Sequence, residues 1–230
     1  VPVLVAAVLK VAGCGLTAAP STQVAQRSAP ADGYAQRAAA QLETKVLPQE
    51  GDPDEIWGHV LDLPLPAPDF QLTSTDGSAF DFARDADAPV TLLYFGYTSC
   101  PDVCPTHMAA LGRALDELTP GQRDQVDVLF VSVDPTVDTP EHLRSYLDGF
   151  GPGITGLTGT TDAVNDALAS IALPQTAVGA DADEPPKHPS SVLGYTADGR
   201  AHVVWPFGTT PDTYAHDLRM LIDEGWSETT

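Results

Sequence analysis

The chain has 230 residues, 43% of them hydrophobic, and its 11 basic and 32 acidic side chains give a net charge of −21. That length holds one ordinary domain plus an extension, and the negative balance excludes a phosphate-backbone binder, so nucleic acid is not an expected partner. No run of about 20 apolar residues occurs, which argues against a membrane-spanning helix, and 19 glycines with 21 prolines require much loop or linker.

Residues 1–12 are almost wholly apolar, with Lys10 the exception, and lead into Val11-Ala12-Gly13-Cys14. No basic stretch precedes them. An aliphatic residue and two small ones before a cysteine resemble the lipobox of a bacterial lipoprotein; an ordinary signal or a frayed N-terminus is the alternative. The resemblance implies that Cys14 is the lipidated first residue of the mature protein, its thiol carrying the diacylglycerol. The domain would then be anchored at the outer face of the bacterial cytoplasmic membrane. The chain divides accordingly into a signal segment 1–13, a tether 14–57 rich in Ala, Gln, Pro, Ser and Thr, and a domain 58–230.

Within the domain, residues 70–82 alternate in polarity around Asp76-Gly77 and predict a β-hairpin. Residues 90–95, Val-Thr-Leu-Leu-Tyr-Phe, suit a strand buried on both faces. Met108, Leu111, Leu115 and Leu118 then mark the apolar face of a helix, with His107, Arg113 and Asp116 off that face. Residues 126–133 predict a second buried strand. Thr139 caps a helix that opens with Pro140 and Glu141. A short strand at 154–157 and a helix with Val164, Leu168 and Ile171 on one face follow. Residues 173–189 carry prolines and acids and predict a long loop. A hairpin turns at Asp198-Gly199, and a last helix opens at Thr210-Pro211 with Tyr214, Leu218 and Leu221 inward. Parallel central strands, helical crossovers and a closing hairpin give an α/β, thioredoxin-like fold with a central sheet flanked by helices.

Cys100 and Cys104 fall where the first central strand hands over to a helix, separated by Pro101, Asp102 and Val103. A helix N-terminus stabilises thiolate. If the first turn is helical, this spacing puts the Cα atoms about 6 Å apart, inside the roughly 4.4–6.8 Å range of disulfides. The same placement lets two sulfurs converge on one soft metal ion. Two neighbouring core cysteines are the alternative, against which the flanking prolines and the strand-to-helix junction argue.

Ala67-Pro68-Asp69-Phe70, Phe95-Gly96-Tyr97-Thr98-Ser99-Cys100-Pro101-Asp102-Val103-Cys104-Pro105, Ser132-Val133-Asp134-Pro135 and Asp138-Thr139-Pro140 resemble the Sco/SenC family. The resemblance runs from about residue 58 to 223. It implies a membrane-anchored, thioredoxin-like copper chaperone that helps build the binuclear copper site of cytochrome c oxidase. The expected partners are the copper-bearing oxidase subunit and an extracytoplasmic, or periplasmic, copper donor. The family binds copper through both motif cysteines and a later histidine. The resemblance maps these onto Cys100, Cys104 and His188. Lys187 stands where the family often has an acidic residue.

The donor set agrees on chemical grounds, because two thiolates and an imidazole suit Cu(I) and also hold Cu(II). A structural zinc site usually adds a fourth protein ligand. His59 lies before the expected core, His142 and His216 on helix surfaces, His202 inside a strand, and His107 off the cysteine face. Asp102 is expected as a local cap or as a group supporting the ligands, not as a ligand itself; Asp134 and Asp138 read first as loop and cap residues, with a role at the site as the alternative. A thiol–disulfide oxidoreductase that reduces a partner's copper-site cysteines, with Cys100 and Cys104 as its redox pair, is the rival reading. A copper or redox sensor lacks an output domain, and peroxidase chemistry does not match the cysteine motif.

Overall fold

The computed structural model describes residues 51–171 and 188–226, together with Val1. Cys14, the rest of the signal segment, the tether as far as residue 50, and residues 173–187 of the expected loop lie outside the described residues.

The first half runs β1 (His59–Pro66), β2 (Gln71–Ser74), β3 (Ala79–Asp81), α1 (Phe82–Asp85), β4 (Val90–Gly96), α2 (Val103–Asp116) and α3 (Pro120–Arg123). The second runs β5 (Val126–Ser132), α4 (Pro140–Leu147), a 3-10 turn (Asp148–Phe150), β6 (Ile154–Thr158), α5 (Thr161–Ser170), β7 (Val192–Thr196), β8 (Arg200–Trp205) and α6 (Pro211–Asp223). Among the described residues these strands form one sheet in the order β1-β8-β7-β4-β5-β6-β2-β3. β4 pairs parallel with β5 and antiparallel with β7, and every one of its residues is buried. A strand covered on both faces needs no polar alternation, which is why its sequence is one apolar run.

Burial of Trp205, Tyr94, Tyr214, Phe95 and Phe130 anchors the core, each such side chain contributing roughly 1.5–3 kcal/mol on leaving water. The expected helix faces are inward: Met108, Leu111 and Leu115 of α2, and Tyr214, Leu218 and Leu221 of α6, are buried, and the two helices pack together. Thr139 and Thr210 cap α4 and α6 through their side chains, each followed by proline at the first turn.

The structure corrects the sequence reading in three places. His59 begins a strand, β1, that pairs antiparallel with β8 and was not foreseen. Phe82 starts the short helix α1 instead of extending the hairpin. Trp57, assigned to the tether, is fastened to the last helix: the Trp57 and Gly58 amides donate to the two carboxylate oxygens of Asp217, both at 2.8 Å, and Trp205 Nε1 donates at 2.7 Å. A side chain at Gly58 would collide with Trp205 and Asp217, so this approach requires glycine.

Candidate metal centre

β4 ends at Gly96, and α2 begins at Val103, so Cys100 lies in the connecting loop and Cys104 in the first helical turn. The two cysteines are therefore not an i, i+4 pair within one helix. Instead the Cys104 amide donates to Cys100 Sγ at 3.4 Å, so the first sulfur takes over a donor that the helix leaves free. Asp102 occupies the N-cap position without a capping side-chain hydrogen bond, so of its two expected roles the cap is not formed, and it borders the cleft beside the cysteines. Both thiols are free; Cys104 is fully buried and Cys100 is 9% exposed.

Their environments split their acidity. Burial raises Cys100, but the backbone amides of Cys104, Asp102 and Val103, with the Cys104 thiol, outweigh it and leave its pKa below that of an ordinary thiol. Burial dominates at Cys104 and, despite a 3.4 Å hydrogen bond from the Tyr94 hydroxyl, pushes it up to about 12. Burial likewise holds Tyr94 far above an ordinary phenol, so it stays protonated and donates a hydrogen bond to the sulfur.

His188 lies beside this pair. Its Nε2 is 3.8 Å from Cys104 Sγ, and its Nδ1 is 2.8 Å from the Pro189 carbonyl. A carbonyl only accepts, so Nδ1 carries the proton and Nε2 presents its lone pair to the sulfur, the tautomer a metal ligand needs. Burial lowers the His188 pKa, against hydrogen bonding to the Pro189 and Phe95 carbonyls, and so favours the neutral ring. Tyr97 meets the ring edge-on at 5.5 Å. Tyr97, Cys100, Pro101, Asp102, Val103 and His188 border a cleft of about 370 Å³.

A soft ion held by sulfur at roughly 2.3 Å and nitrogen at roughly 2.0 Å keeps those donors within about 4.3 Å of each other. The Cys104–His188 distance meets that limit. Among the described residues no three His, Cys, Asp or Glu side chains form a complete metal cage. Cys104 Sγ and His188 Nε2 thus stand close enough to share one ion, and Cys100 Sγ lies beside them at the Cys104 amide.

The other candidates fall away from the sulfurs. His142 is exposed and 3.4 Å from Thr98 Oγ1. His202 is bonded to Asp198. His216 keeps its expected helix-surface position, where it stacks on Trp57 at 3.8 Å. Asp134 accepts from Thr136 in its own loop.

Two residues matter more than the sequence revealed. Asp138 is buried and accepts from the Thr98 amide and hydroxyl and from Ser132 Oγ, tying the cysteine loop to the end of β5. His107 is 2% exposed, with Nδ1 3.0 Å from the Tyr214 hydroxyl and Nε2 2.8 Å from the Ser190 carbonyl, so it braces the chain next to His188. The only sequence signals were a carboxylate just before a Thr-Pro cap and a histidine one turn after Cys104.

A parallel core closed by a β-hairpin, with thiols where β4 meets the helix, places the protein in the thioredoxin-like class. Residues 64–223 match the SCO1/SenC family, and the chain belongs to it. It is 37% identical over 131 residues to Protein SCO2, mitochondrial, of Saccharomyces cerevisiae, a match covering 57% of this chain and 41% of that one. The solution structure of apo Sco1 from Thermus thermophilus is 32% identical, with a TM-score of 0.64 over 74% of this chain and 99% of that one. The structure of Bradyrhizobium japonicum ScoI with copper bound is also 32% identical, with a TM-score of 0.58 over 67% of this chain and 98% of that one. The chain spans about half the length of the curated relatives it matches.

Proposed function

We propose that this protein is a copper metallochaperone: it takes one copper ion on Cys100 Sγ, Cys104 Sγ and His188 Nε2 and delivers it to the copper-bearing subunit of cytochrome c oxidase. The observation that carries this reading is the approach of Cys104 Sγ to the unprotonated Nε2 of His188, with the ring held from behind by Pro189. Family membership and the copper-bound ScoI relative support the same reading. Two thiolates with one imidazole favour Cu(I) and tolerate Cu(II). Cys100 is the more readily ionised donor and Cys104 gives up its proton only on loading, so uptake releases protons and strengthens with pH. The same proposal places the domain outside the cytoplasmic membrane, anchored through a lipid on Cys14.

The test is a titration of the reduced protein with Cu(I) and Cu(II), in competition with a chelator. One equivalent is expected, tight binding should vanish in Cys100→Ser and Cys104→Ser, and His188→Ala should weaken Cu(II) above all. Normal copper binding with both cysteines replaced would overturn the assignment.

The split acidity of the thiols favours a second activity. Cys100, the more acidic and less buried sulfur, would attack a partner disulfide and form a mixed disulfide. Cys104 would then attack Cys100, leaving the partner with two thiols and this chain with the disulfide. This activity has no need of His188. Full reductase turnover in His188→Ala, with copper delivery lost, would separate the two.

A further inference from the structure

A second cleft of about 870 Å³ lies at the far edge of the sheet, between β1, α6 and the residues after α6. None of the residues lining it borders the metal centre. The strands are irregular there. Along β7, Tyr195 faces Ala201 and Gly194 faces Val203, which leaves His202 as an extra residue in β8. Along β1, Val60 faces Val203 and Leu65 faces Ala201, so residues 61–64 stand opposite His202 alone. Such bulges re-aim side chains, and His202 lines the cleft.

His202 is 2% exposed. Its Nε2 lies 2.8 Å from Asp198 Oδ2; a carboxylate only accepts, so Nε2 is the donor there, and in the tautomer this bond selects Nδ1 is the acceptor. Trp226 stacks on this ring at 4.2 Å and 15°. His202 Nδ1 and Trp226 Nε1 are both buried and have no hydrogen-bond partner. One is an acceptor and the other a donor, and buried groups of either kind are normally satisfied. Asp52, Asp54, Glu55, Asp62 and Glu224 also line the cleft, and no Lys or Arg is among the described residues that do.

We propose that this cleft docks an arginine-bearing segment of a partner protein. Guanidinium N–H groups meet the carboxylates in a planar fork and have a donor to spare for His202 Nδ1, while the indole offers a cation–π face. The Trp226 N–H requires an acceptor, which a peptide carbonyl of the same segment supplies. A bare metal ion leaves that N–H unmet, and an anion is repelled by five carboxylates. This docking site is independent of the copper reading and stands or falls without it.

The experiment follows the indole N–H resonances of the full chain, with Trp226 assigned through Trp226→Phe. The probe is the peptide acetyl-Gly-Arg-Gly-Arg-Gly-amide, and the control replaces both arginines with glutamine. The Trp226 indole should shift saturably with the probe alone, the Trp205 indole should stay in place, and the variant D54N/D62N/E224Q should bind at least about tenfold more weakly. These three substitutions lie on exposed side chains and leave the core intact. No movement at millimolar probe would mean that water fills the cleft, and equal binding by the triple variant would mean diffuse charge attraction; either overturns the proposal. A Trp226 shift on replacing Lys10, Arg27, Arg37 and Lys45 with glutamine, with no probe present, would show the cleft covered by the chain's own N-terminal segment and overturn it as well.

Discussion

At the scale of single residues, the two thiols at the head of α2 are neighbours but do not share an environment. Cys100 receives the amides that the helix start leaves free, whereas Cys104 is sealed beneath Tyr94 and His188. Iodoacetamide at pH 8 should therefore modify Cys100 and spare Cys104 in the reduced, metal-free protein, as read by peptide mass spectrometry; equal labelling would contradict the split. His107 yields a second prediction, this one for stability. Its burial depresses the ring to about 4, from 6.5 in an unfolded chain. Above pH 6.5 both states hold the ring neutral and its stabilising contribution is fully present. As pH falls from 6.5 towards 4 the unfolded state takes up a proton that the folded state refuses, and up to about 3 kcal/mol is lost. His188, also depressed by burial, adds to this trend. Asp217, raised chiefly by burial, acts the other way, since its contribution is lost as pH rises through its folded-state pKa. Urea denaturation of the metal-free protein between pH 7 and 4.5 should show the loss, and His107→Gln should flatten it. An unchanged slope in that variant would remove His107 as the cause.

At the scale of elements, Asp217 joins α6, β8 and the chain entering β1 by accepting three hydrogen bonds with one carboxylate. Asp217→Asn has one oxygen to offer and turns an NH₂ towards a remaining donor. It should cost about 1–3 kcal/mol in stability and speed hydrogen exchange at the Trp57 and Gly58 amides while the β4 amides stay protected. Uniform exchange across the chain would instead mean global loosening. The central elements of this fold were legible because their physics is written locally. β4 and β5 are mostly apolar and β-branched, α4 and α6 start at Thr-Pro caps, and the hairpins turn at Asp-Gly. β1 was not legible, because His-Val-Leu-Asp-Leu-Pro-Leu-Pro carries two prolines and a charge, and edge strands tolerate both. Asp138, His107 and Asp217 were missed for a common reason. Each is polar and reads as a surface or cap position, and only tertiary contacts across 40, 83 and 160 residues reveal what it holds. The cysteine pair was legible from spacing and the histidine only through family resemblance, since nothing local distinguishes His188 from the rest.

At the scale of the whole molecule, charge and anchoring oppose each other. A net charge of −21 is repelled by an anionic lipid surface, so electrostatic adhesion would not hold this chain at a membrane. Among the described residues no helix is long and apolar enough to cross a membrane. Under the proposed function, membrane attachment is through the acyl chains on Cys14. The diacylglycerol implied by the lipobox supplies two chains, and two are what stable anchoring takes. The expected outcome, in a bacterial host and with a leader that directs export, is that the wild-type chain stays in the membrane fraction through a high-salt wash. Cys14→Ala should move it to the soluble fraction with copper stoichiometry unchanged. Salt-released wild type would point to electrostatic attachment through a partner, and Cys14→Ala retained on the membrane would sink the lipid anchor.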